Sequence, residues 1–273
     1  MFSFLFLVII FFCIFAKKLL MNPIVLITGS TSGIGKATAE RFAKAGYDLI
    51  LTGRRNDRLE TLKKQVQDTY HNRVLTLCFD VRSQNEVEQH LGNLPNDWKQ
   101  IVVLVNNAGL AVGLNTAQEG VVDDWERMID TNIKGLLYVS RVIAPLMIQN
   151  GNGHIVNIGS VAGKEAYPNG AVYCATKHAV DAFSQGLRMD LVSHGIRVTQ
   201  ICPGAVETEF SVVRFKGDQN RADNVYKGFE PLKADDIADA IFYCTNLPKH
   251  VCINDMLIMP TAQASATVIH KNL

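Results

Sequence analysis

Several features that would point to other classes of protein are missing from this 273-residue chain. The six cysteines form no CxxC pair and the seven histidines show no metal-ligand spacing, so we predict no metal site. The net charge is only +1, without a long run of one sign, which argues against nucleic acid as a partner. No internal repeat, low-complexity tract or linker separates a second domain. Cys78, Cys174 and Cys202 lie in or beside apolar segments, and we expect them to be reduced core residues.

What the chain does contain is 48% hydrophobic residues, in short runs rich in Val, Ile and Leu that alternate with helical segments. Such alternation predicts a parallel sheet whose two faces are both covered by helices. The length suits one large α/β domain. The sequence therefore predicts an α/β fold with a single doubly wound parallel sheet.

The N-terminus differs from the rest of the chain. Residues 2–16 are almost wholly apolar, but these fifteen residues are fewer than the roughly 17–25 that cross a bilayer, and Lys17 and Lys18 follow them. The basic n-region and small-residue cleavage site of a secretory signal are both missing. Either translation starts at Met21, which we favour, or residues 1–20 anchor the protein in a membrane. We thus expect an extension over residues 1–20, a folded domain over residues 21–273, and a cytoplasmic location for that domain in either case.

A glycine-rich loop, Gly29–Gly35, follows the first predicted strand, Ile24–Thr28, and precedes a helical segment. Glycines at this point allow a tight turn and let the backbone approach a pyrophosphate at the helix N-terminus. The spacing is GxxxGxG rather than the more common GxGxxG. The loop therefore predicts a dinucleotide site.

The second predicted strand, Asp48–Thr52, ends in Gly53, Arg54 and Arg55. NAD enzymes usually place an acidic residue about 20 residues after the glycine loop, to bind the ribose 2′-hydroxyl. Here the position carries two arginines, whose guanidinium groups suit a 2′-phosphate, so NADP is favoured over NAD. The alternative is that these residues only begin a charged, solvated helix.

Polar residues also follow later strands. Asp80 closes the third predicted strand, where it fits either a hydrogen bond to an adenine amino group or a cap of the helix that starts at Ser83. Asn106 and Asn107 end a buried strand in the run Ile101–Gly109, at the edge where open α/β sheets bind ligands. These positions predict further cofactor contacts.

Tyr173 and Lys177 are four residues apart in a predicted helix over residues 171–191, and Ser160 lies thirteen residues before Tyr173. A cation within about 4–6 Å of a phenol favours the phenolate, so this tyrosine can exchange a proton with a carbonyl or an alcohol. The alternative is an ordinary Tyr–Lys pair on a solvated helix face. Asn132 interrupts another helical region, where we expect a local backbone distortion with an ordered water.

Together, TGSTSGIG, NNAG, the Ser160/Tyr173/Lys177 set, Asn132 and the Pro203-Gly204 loop are similar to the short-chain dehydrogenase/reductase family over about residues 22–263. NNAGLAVG, GHIVNIGS and TEFSVVRFKGD resemble its NADP-dependent 3-hydroxy acid dehydrogenases. That branch acts on serine, allo-threonine, 3-hydroxyisobutyrate and malonic semialdehyde. The resemblance implies a Rossmann-type domain, NADP as cofactor, a small carboxylic-acid substrate and a homotetramer formed through the helices that bear Asn132 and Tyr173.

The resemblance also implies roles for individual residues. Tyr173 would be the general acid/base, Lys177 would lower its pKa and bind the nicotinamide ribose, Ser160 would bind the substrate oxygen, and Asn132 would hold a water in a proton relay. The implied cofactor contacts are Gly29, Ser30, Thr31, Ser32, Gly33, Ile34 and Gly35 for the pyrophosphate, Arg54 and Arg55 for the 2′-phosphate, Asp80 and Val81 for the adenine, Asn107 for a ribose, and Pro203, Gly204, Val206 and Thr208 around the nicotinamide.

The segment Ser211–Asp218 is long and lacks periodicity, so we expect a mobile loop that closes over the site. Arg214 is the candidate for binding a substrate carboxylate, because its planar fork can grip one bidentately. Alternatively, Arg214 and Lys216 lie in solvent or pair with Asp218. Two other functions stay open: a membrane-anchored reductase of lipid or steroid carbonyls, which this basic, polar loop suits less well, and a dinucleotide-sensing regulator without turnover. The regulator is disfavoured because the chain keeps both Tyr173 and Lys177.

Overall fold

The computed structural model of the protein describes residues 22–272. The predicted N-terminal extension and the predicted start at Met21 lie outside the described residues. None of the helices between residues 22 and 272 combines the length and apolar character that a membrane span needs.

Seven strands of residues 22–272 form one sheet in which all neighbours are parallel. They are β1 (Ile24–Ile27), β2 (Asp48–Gly53), β3 (Val74–Cys78), β4 (Ile101–Asn106), β5 (His154–Ile158), β6 (Arg197–Pro203) and β7 (Asp255–Ile258). Their spatial order is β3-β2-β1-β4-β5-β6-β7, so the winding reverses between β1 and β4. The predicted doubly wound sheet is confirmed, and a crevice is expected at the carboxyl ends of β1 and β4.

Helices cover both faces of the sheet. They are α1 (Gly33–Lys44), α2 (Asn56–Tyr70), α3 (Gln84–Gly92), α4 (Val122–Ile129), α5 (Leu136–Asn150), α6 (Ala171–Leu191), α7 (Phe210–Arg214), α8 (Gln219–Tyr226) and α9 (Ala234–Thr245). On one face Phe42 of α1, Leu62 of α2 and Ile241 of α9 pack against the buried strands. On the other face the apolar residues of α3, α5 and α6 form a second core, around Val87 and Ile143. The central strands β1, β2, β4, β5 and β6 are nearly continuous apolar runs because helices cover both of their faces, whereas the edge strands β3 and β7 are partly exposed.

Helix α6 spans the same residues as the predicted helical segment, whereas strand ends differ from the apolar runs. β4 ends at Asn106 although the run continues to Gly109, because the chain there leaves the hydrogen-bonded ladder for the ligand edge. Cys174 and Cys202 are buried as predicted, but the prediction for Cys78 is wrong, because this residue is exposed. It ends β3, an edge strand that pairs only with β2.

Candidate active site

A cavity of about 640 Å³ opens at the carboxyl ends of the strands. It is bordered by the glycine loop, the ends of β2 to β5, helix α6 and the segment after β6. Of the predicted site residues, it is lined by Gly29, Thr31, Ser32, Gly33, Ile34, Arg54, Arg55, Asp80, Val81, Asn107, Ser160, Tyr173, Lys177, Pro203, Gly204, Val206, Thr208 and Arg214. Ser30, Gly35 and Asn132 are predicted site residues that do not line it.

The glycine loop has the backbone that its sequence predicts. Gly29 and Gly33 have φ values of +66° and +50°, a region that residues with a Cβ rarely adopt. A Cβ at Gly35 would lie 2.4 Å from the carbonyl oxygen of Gly29, so only glycine fits there. Ser30 is fully buried, and its amide and hydroxyl both donate to the Thr52 carbonyl. Ser30 and Gly35 thus fix the conformation of the loop from the side that faces away from the cavity.

The end of β4 supports the same loop from below. The Asn107 side-chain amide donates to the carbonyls of Thr28 (2.9 Å) and Gly29 (3.1 Å). The Thr28 hydroxyl oxygen accepts from the backbone amides of Asn107 and Ala108, each at 3.0 Å. These bonds join β1 to β4 across the crevice and leave the glycine backbone facing the cavity. A cradle without side chains at its glycines fits the close approach of a dinucleotide pyrophosphate.

Arg54 and Arg55, the two arginines predicted to bind the 2′-phosphate, differ in their hydrogen bonds. Nε and Nη2 of Arg55 donate to the Thr31 hydroxyl at 3.1 and 2.8 Å, and Nη2 also donates to the Ser32 hydroxyl at 2.8 Å. Arg54 is 58% exposed, and its one ion pair among the residues described is a 3.7 Å contact with Asp80. Arg54 therefore keeps its donors for a ligand, while Arg55 ties the start of α2 to the glycine loop.

Asp80 lies at the cavity and does not cap the next helix. The N-cap of α3 is Ser83, whose hydroxyl accepts from the Glu86 amide. Asp80 instead accepts from Nε and Nη2 of Arg82 at 2.8 and 2.6 Å. Partial burial acts to raise the pKa of Asp80, but the hydrogen bonds from Arg82 outweigh it and the net pKa is lowered. The side chain is thus an ionised acceptor, which can accept a hydrogen bond from an adenine amino group.

Tyr173, Lys177 and Ser160 meet at the inner end of the cavity. Tyr173 is 8% and Lys177 6% exposed, so the solvated-face alternative is wrong. The Lys177 ammonium donates to the Ile158 carbonyl at 2.8 Å and lies 5.9 Å from the centre of the Tyr173 ring. The Ser160 hydroxyl oxygen accepts from the Ala162 amide, which fixes the serine at the first turn after β5.

Burial controls the protonation of Tyr173 and Lys177. It raises the pKa of Tyr173 above its usual range, while the Ser160 hydroxyl and the Arg214 guanidinium act to lower it. Burial also lowers the pKa of Lys177 to about 8. Near neutral pH Tyr173 is therefore a phenol, ready to donate a proton. The predicted lowering of the Tyr173 pKa by Lys177 stays a prediction.

Asn132 lies in a π-helical segment, Asp130–Gly135, between α4 and α5, which confirms the predicted backbone distortion. Its amide oxygen accepts from the Leu110 amide, and its amide nitrogen donates to the Leu110 carbonyl, both at 2.8 Å. The same nitrogen donates to the Thr176 hydroxyl at 3.0 Å, beside Lys177. Asn132 thus joins the π segment to α6 beneath the cavity. Its role in a water relay stays a prediction.

The segment after β6 covers the cavity. It is not the irregular loop predicted for Ser211–Asp218, because residues 211–214 belong to α7 and Asp218 is the N-cap of α8. Thr208 packs over Gly33, where an added Cβ would lie 3.2 Å from the threonine side chain. The Phe210 ring lies 5.8 Å from that of Tyr173. This segment therefore touches both the glycine loop and the predicted proton donor.

Arg214 reaches the cavity, and the alternative that it pairs with Asp218 is wrong. Its Nη2 donates to the Tyr167 hydroxyl at 3.0 Å, and its guanidinium carbon lies 5.8 Å from the centre of the Tyr173 ring. Its Nε is buried and has no hydrogen-bond partner among residues 22–272. Asp218 instead caps α8. Lys216 lies outside the cavity lining and pairs with the buried Asp124 at 2.8 Å.

Sequence reasoning missed several residues that line the cavity. Tyr167 lies in AYPNG, between Ser160 and Tyr173, so its position in the catalytic stretch was the only available signal. Gln263 and Ile269 come from the C-terminal tail, where they form an antiparallel bridge. The Gln263 side chain accepts from the Ala205 amide at 2.8 Å, which holds the tail against the site. No motif marks these two residues.

Comparisons with known proteins agree with this geometry. A family model for short chain dehydrogenases matches residues 23–219. Sulfoacetaldehyde reductase 2 of Chromohalobacter salexigens is 48% identical over 245 residues, 89% of this chain and 96% of that protein. NADP-dependent 3-hydroxy acid dehydrogenase YdfG of Salmonella typhi is 47% identical over 251 residues, 91% of this chain and 100% of that protein. The closed form of serine dehydrogenase complexed with NADP+ has a TM-score of 0.85 at 44% identity and covers 91% of this chain and 100% of its own.

Proposed function

Because this chain belongs to the short-chain dehydrogenase family, we propose that it is an NADP-dependent oxidoreductase that interconverts small 3-hydroxy acids and their 3-oxo acids. The observation that carries the substrate class is Arg214. This residue places a guanidinium with an unpartnered, buried Nε beside Tyr173. A half-buried guanidinium with an unpaired buried donor favours an anionic ligand, because an unsatisfied donor in a cavity is costly.

The cofactor-side residues fit NADP. Arg54 has free donors for the 2′-phosphate, the ionised Asp80 can accept from the adenine amino group, and the glycine loop presents its backbone to the pyrophosphate. The arginines, in place of an acid at the end of β2, support NADP over NAD. When bound, NADP supplies the acceptor or donor of the hydride.

The chain's own residues handle the proton and the orientation of the substrate. In reduction, the Tyr173 phenol donates its proton to the carbonyl oxygen, which the Ser160 hydroxyl holds in place. In oxidation, the same oxygen of Tyr173 takes the hydroxyl proton of the alcohol. Burial keeps Tyr173 protonated near neutral pH, so the resting site is poised for reduction. Arg214 binds the acid group and thereby orients the reacting carbon.

A sulfonate is a second candidate for the anionic group. Sulfoacetaldehyde reductase 2 is as similar to this chain as the 3-hydroxy acid dehydrogenase is. The alcohol form of sulfoacetaldehyde, 2-hydroxyethanesulfonate, has the same separation between its anionic group and its hydroxyl carbon as 3-hydroxypropionate. A guanidinium fork can pair with either anion. By contrast, an uncharged lipid or steroid would leave Arg214 unpaired.

We also propose that the protein is a homotetramer, as the family resemblance implies. Val121 and Val122 at the start of α4, Ile129 at its end, and Met189 of α6 are exposed large apolar residues on the two helical regions expected to pair. Burying such residues against another copy removes apolar surface from water. Light scattering coupled to size-exclusion chromatography tests this state, and a monomer at micromolar concentration would contradict it.

The substrate class is tested by the wild-type protein on a charge-matched panel. NADPH formation is followed with 3-hydroxyisobutyrate, its methyl ester, L-serine, 3-hydroxypropionate and 2-hydroxyethanesulfonate. We expect kcat/KM for 3-hydroxyisobutyrate to exceed that of the ester by roughly tenfold to a hundredfold. This is the factor expected when one charge-assisted hydrogen bond to the substrate is lost. Preference for the sulfonate would select the second candidate. Equal rates for acid and ester would overturn both.

A further inference from the structure

Glu209 makes ion pairs across the cofactor side of the cavity. It lies immediately before α7, in the segment after β6 that covers the cavity, and is itself part of the cavity wall. Its Oε2 accepts from Nη1 of Arg55 at 3.0 Å and its Oε1 from Nη1 of Arg58 at 2.7 Å. Both arginines come from the turn and helix that follow β2. The three side chains thus connect the covering segment to the opposite wall.

These pairs extend to the glycine loop through Arg55. The guanidinium of Arg55 holds Glu209 with Nη1 and holds the hydroxyls of Thr31 and Ser32 with its other nitrogens. Thr208, the residue before Glu209, packs over Gly33 of the same loop. The covering segment is therefore fixed directly above the place where the pyrophosphate and 2′-phosphate are expected.

The charge balance allows this closure to coexist with a bound phosphate. Partial burial acts to raise the pKa of Glu209, but hydrogen bonds from Arg58 and Arg55 lower it overall, so the carboxylate is ionised at neutral pH. Two guanidinium groups face this one carboxylate, and Arg54 adds a third with free donors. The cluster keeps a net positive charge, which suits a phosphate.

We propose that Glu209 is a positioning residue that latches the segment after β6 over bound NADP through Arg55 and Arg58, and so slows release of the cofactor. The proposal rests on the proposed function only in taking NADP as the cofactor. Opening the segment requires both charge-assisted bonds to break. Because the three side chains are 40–47% exposed, water replaces these bonds readily. The latch therefore slows release by a modest factor and does not prevent it.

The test measures NADPH dissociation by stopped-flow fluorescence, with excess NADP+ as the displacing ligand and no substrate. Glu209→Gln keeps the size of the side chain but removes its charge, and we expect dissociation to be roughly threefold to tenfold faster. Glu207→Gln is the matched control, because Glu207 has no ion pair among the described residues and does not line the cavity. It should leave the rate unchanged.

Arg58→Ala provides a second test, because Arg58 does not line the cavity and its guanidinium pairs with Glu209. We expect it to accelerate release as well. The double variant with Glu209→Gln should then release NADPH no faster than Glu209→Gln alone, since both changes open the same latch. If Glu209→Gln is unstable, Arg58→Ala alone still tests the latch, because Arg58 is 43% exposed and its substitution leaves Glu209 in place.

Three results would overturn the latch: an unchanged rate in Glu209→Gln, slower release in that variant, or fully additive effects of the two substitutions. Slower release would mean that Glu209 acts mainly by repelling the 2′-phosphate. The proposed substrate class is tested separately, because the release experiment contains no hydroxy acid. Failure on the substrate panel leaves the latch standing, and failure of the latch leaves the substrate class standing.

Discussion

The two sides of the active-site cavity are held in place by different kinds of contact. On the glycine-loop side, Ser30 and Asn107 spend their donors on backbone carbonyls in the interior. On the covering side, the segment after β6 has backbone bonds such as that from the Gly113 amide to the Arg214 carbonyl, but its side chains add surface ion pairs of Glu209 and Lys216 and the bond from Arg214 to Tyr167. Buried, satisfied hydrogen bonds fix a geometry more firmly than exposed ion pairs do.

We infer from this difference that the glycine-loop side serves the reaction itself, whereas the covering side serves the choice of substrate. The buried hydrogen bonds hold the glycine loop, the proposed cofactor cradle, which any substrate of the enzyme needs in the same place. The covering segment carries Arg214, and its surface attachments let it change without disturbing the sheet. Two relatives of nearly equal identity, a sulfoacetaldehyde reductase and a 3-hydroxy acid dehydrogenase, are consistent with such a division.

The largest effect is expected at the proton donor. Tyr173→Phe keeps the ring and its packing but removes the transferable proton, so kcat should fall by about 10²–10⁴ while NADPH affinity stays unchanged. The matched control is Tyr167→Phe, which removes the hydroxyl that holds Arg214 and should mainly raise KM. Steady-state kinetics and fluorescence titration measure the two quantities. A Tyr173→Phe protein that keeps most of its turnover would refute the assignment.

The next effect concerns the choice of cofactor. Arg54→Ala should weaken NADP by roughly tenfold to a hundredfold and NAD very little, because the exposed Arg54 has donors free for the proposed contact with the 2′-phosphate. Arg55→Ala should weaken both cofactors, since Arg55 also supports the glycine loop through Thr31 and Ser32. Dissociation constants from fluorescence titration decide this. The distinction fails if Arg54→Ala affects both cofactors equally or if the wild type prefers NAD.

The pH dependence should separate the two reaction directions. Burial raises the pKa of Tyr173, so its basic form is scarce at neutral pH and grows by at most about tenfold per pH unit below that pKa. Oxidation needs this form, and its kcat/KM should therefore rise between pH 6 and 8, whereas reduction should stay nearly flat. Initial rates in both directions measure the profiles, and residual oxidation by Tyr173→Phe should lose the slope. A reductive rate that rises with pH would contradict the role of Tyr173.

The smallest effect is expected on stability. Asn132→Ala removes three hydrogen bonds and leaves the Leu110 amide and carbonyl without their side-chain partner, so the free energy of unfolding should fall by about 1–3 kcal/mol. Urea denaturation measures this change. Lys64→Ala, on the exposed side of α2, is the control and should stay within about 0.5 kcal/mol of wild type. Equal losses in both variants would show that the π segment is not held by Asn132.

The glycine-loop side of the cavity could be predicted from the sequence, whereas the covering side could be predicted only in part. The glycine loop, helix α6 and the Asn132 distortion depend on local patterns, because glycine spacing and helical periodicity act within a few residues. The different roles of Arg54 and Arg55 depend on Thr31, Ser32 and Glu209, which only the fold brings together. The same holds for Lys216, which pairs with Asp124 from a distant helix.

The exposure of Cys78 escaped prediction for a similar reason. An apolar run indicates a strand but does not reveal whether that strand is central or at an edge, and β3 pairs with β2 alone. Tyr167 lies in a turn without periodicity, so its bond to Arg214 has no trace in the sequence. Contacts between loops depend on how the strands are arranged in the sheet, because that arrangement decides which loops lie side by side.

The most direct test of the central claim is the charge preference of Arg214→Ala. The quantity is the ratio of kcat/KM for 3-hydroxyisobutyrate to that for its methyl ester, with Arg221→Ala as the matched control because Arg221 lies outside the cavity lining. We predict that Arg214→Ala lowers this ratio by roughly tenfold to a hundredfold, leaves the rate on the ester nearly unchanged, and that Arg221→Ala keeps the wild-type ratio. Equal losses on acid and ester would instead assign Arg214 to the folding of the covering segment and contradict its role in recognising the substrate anion.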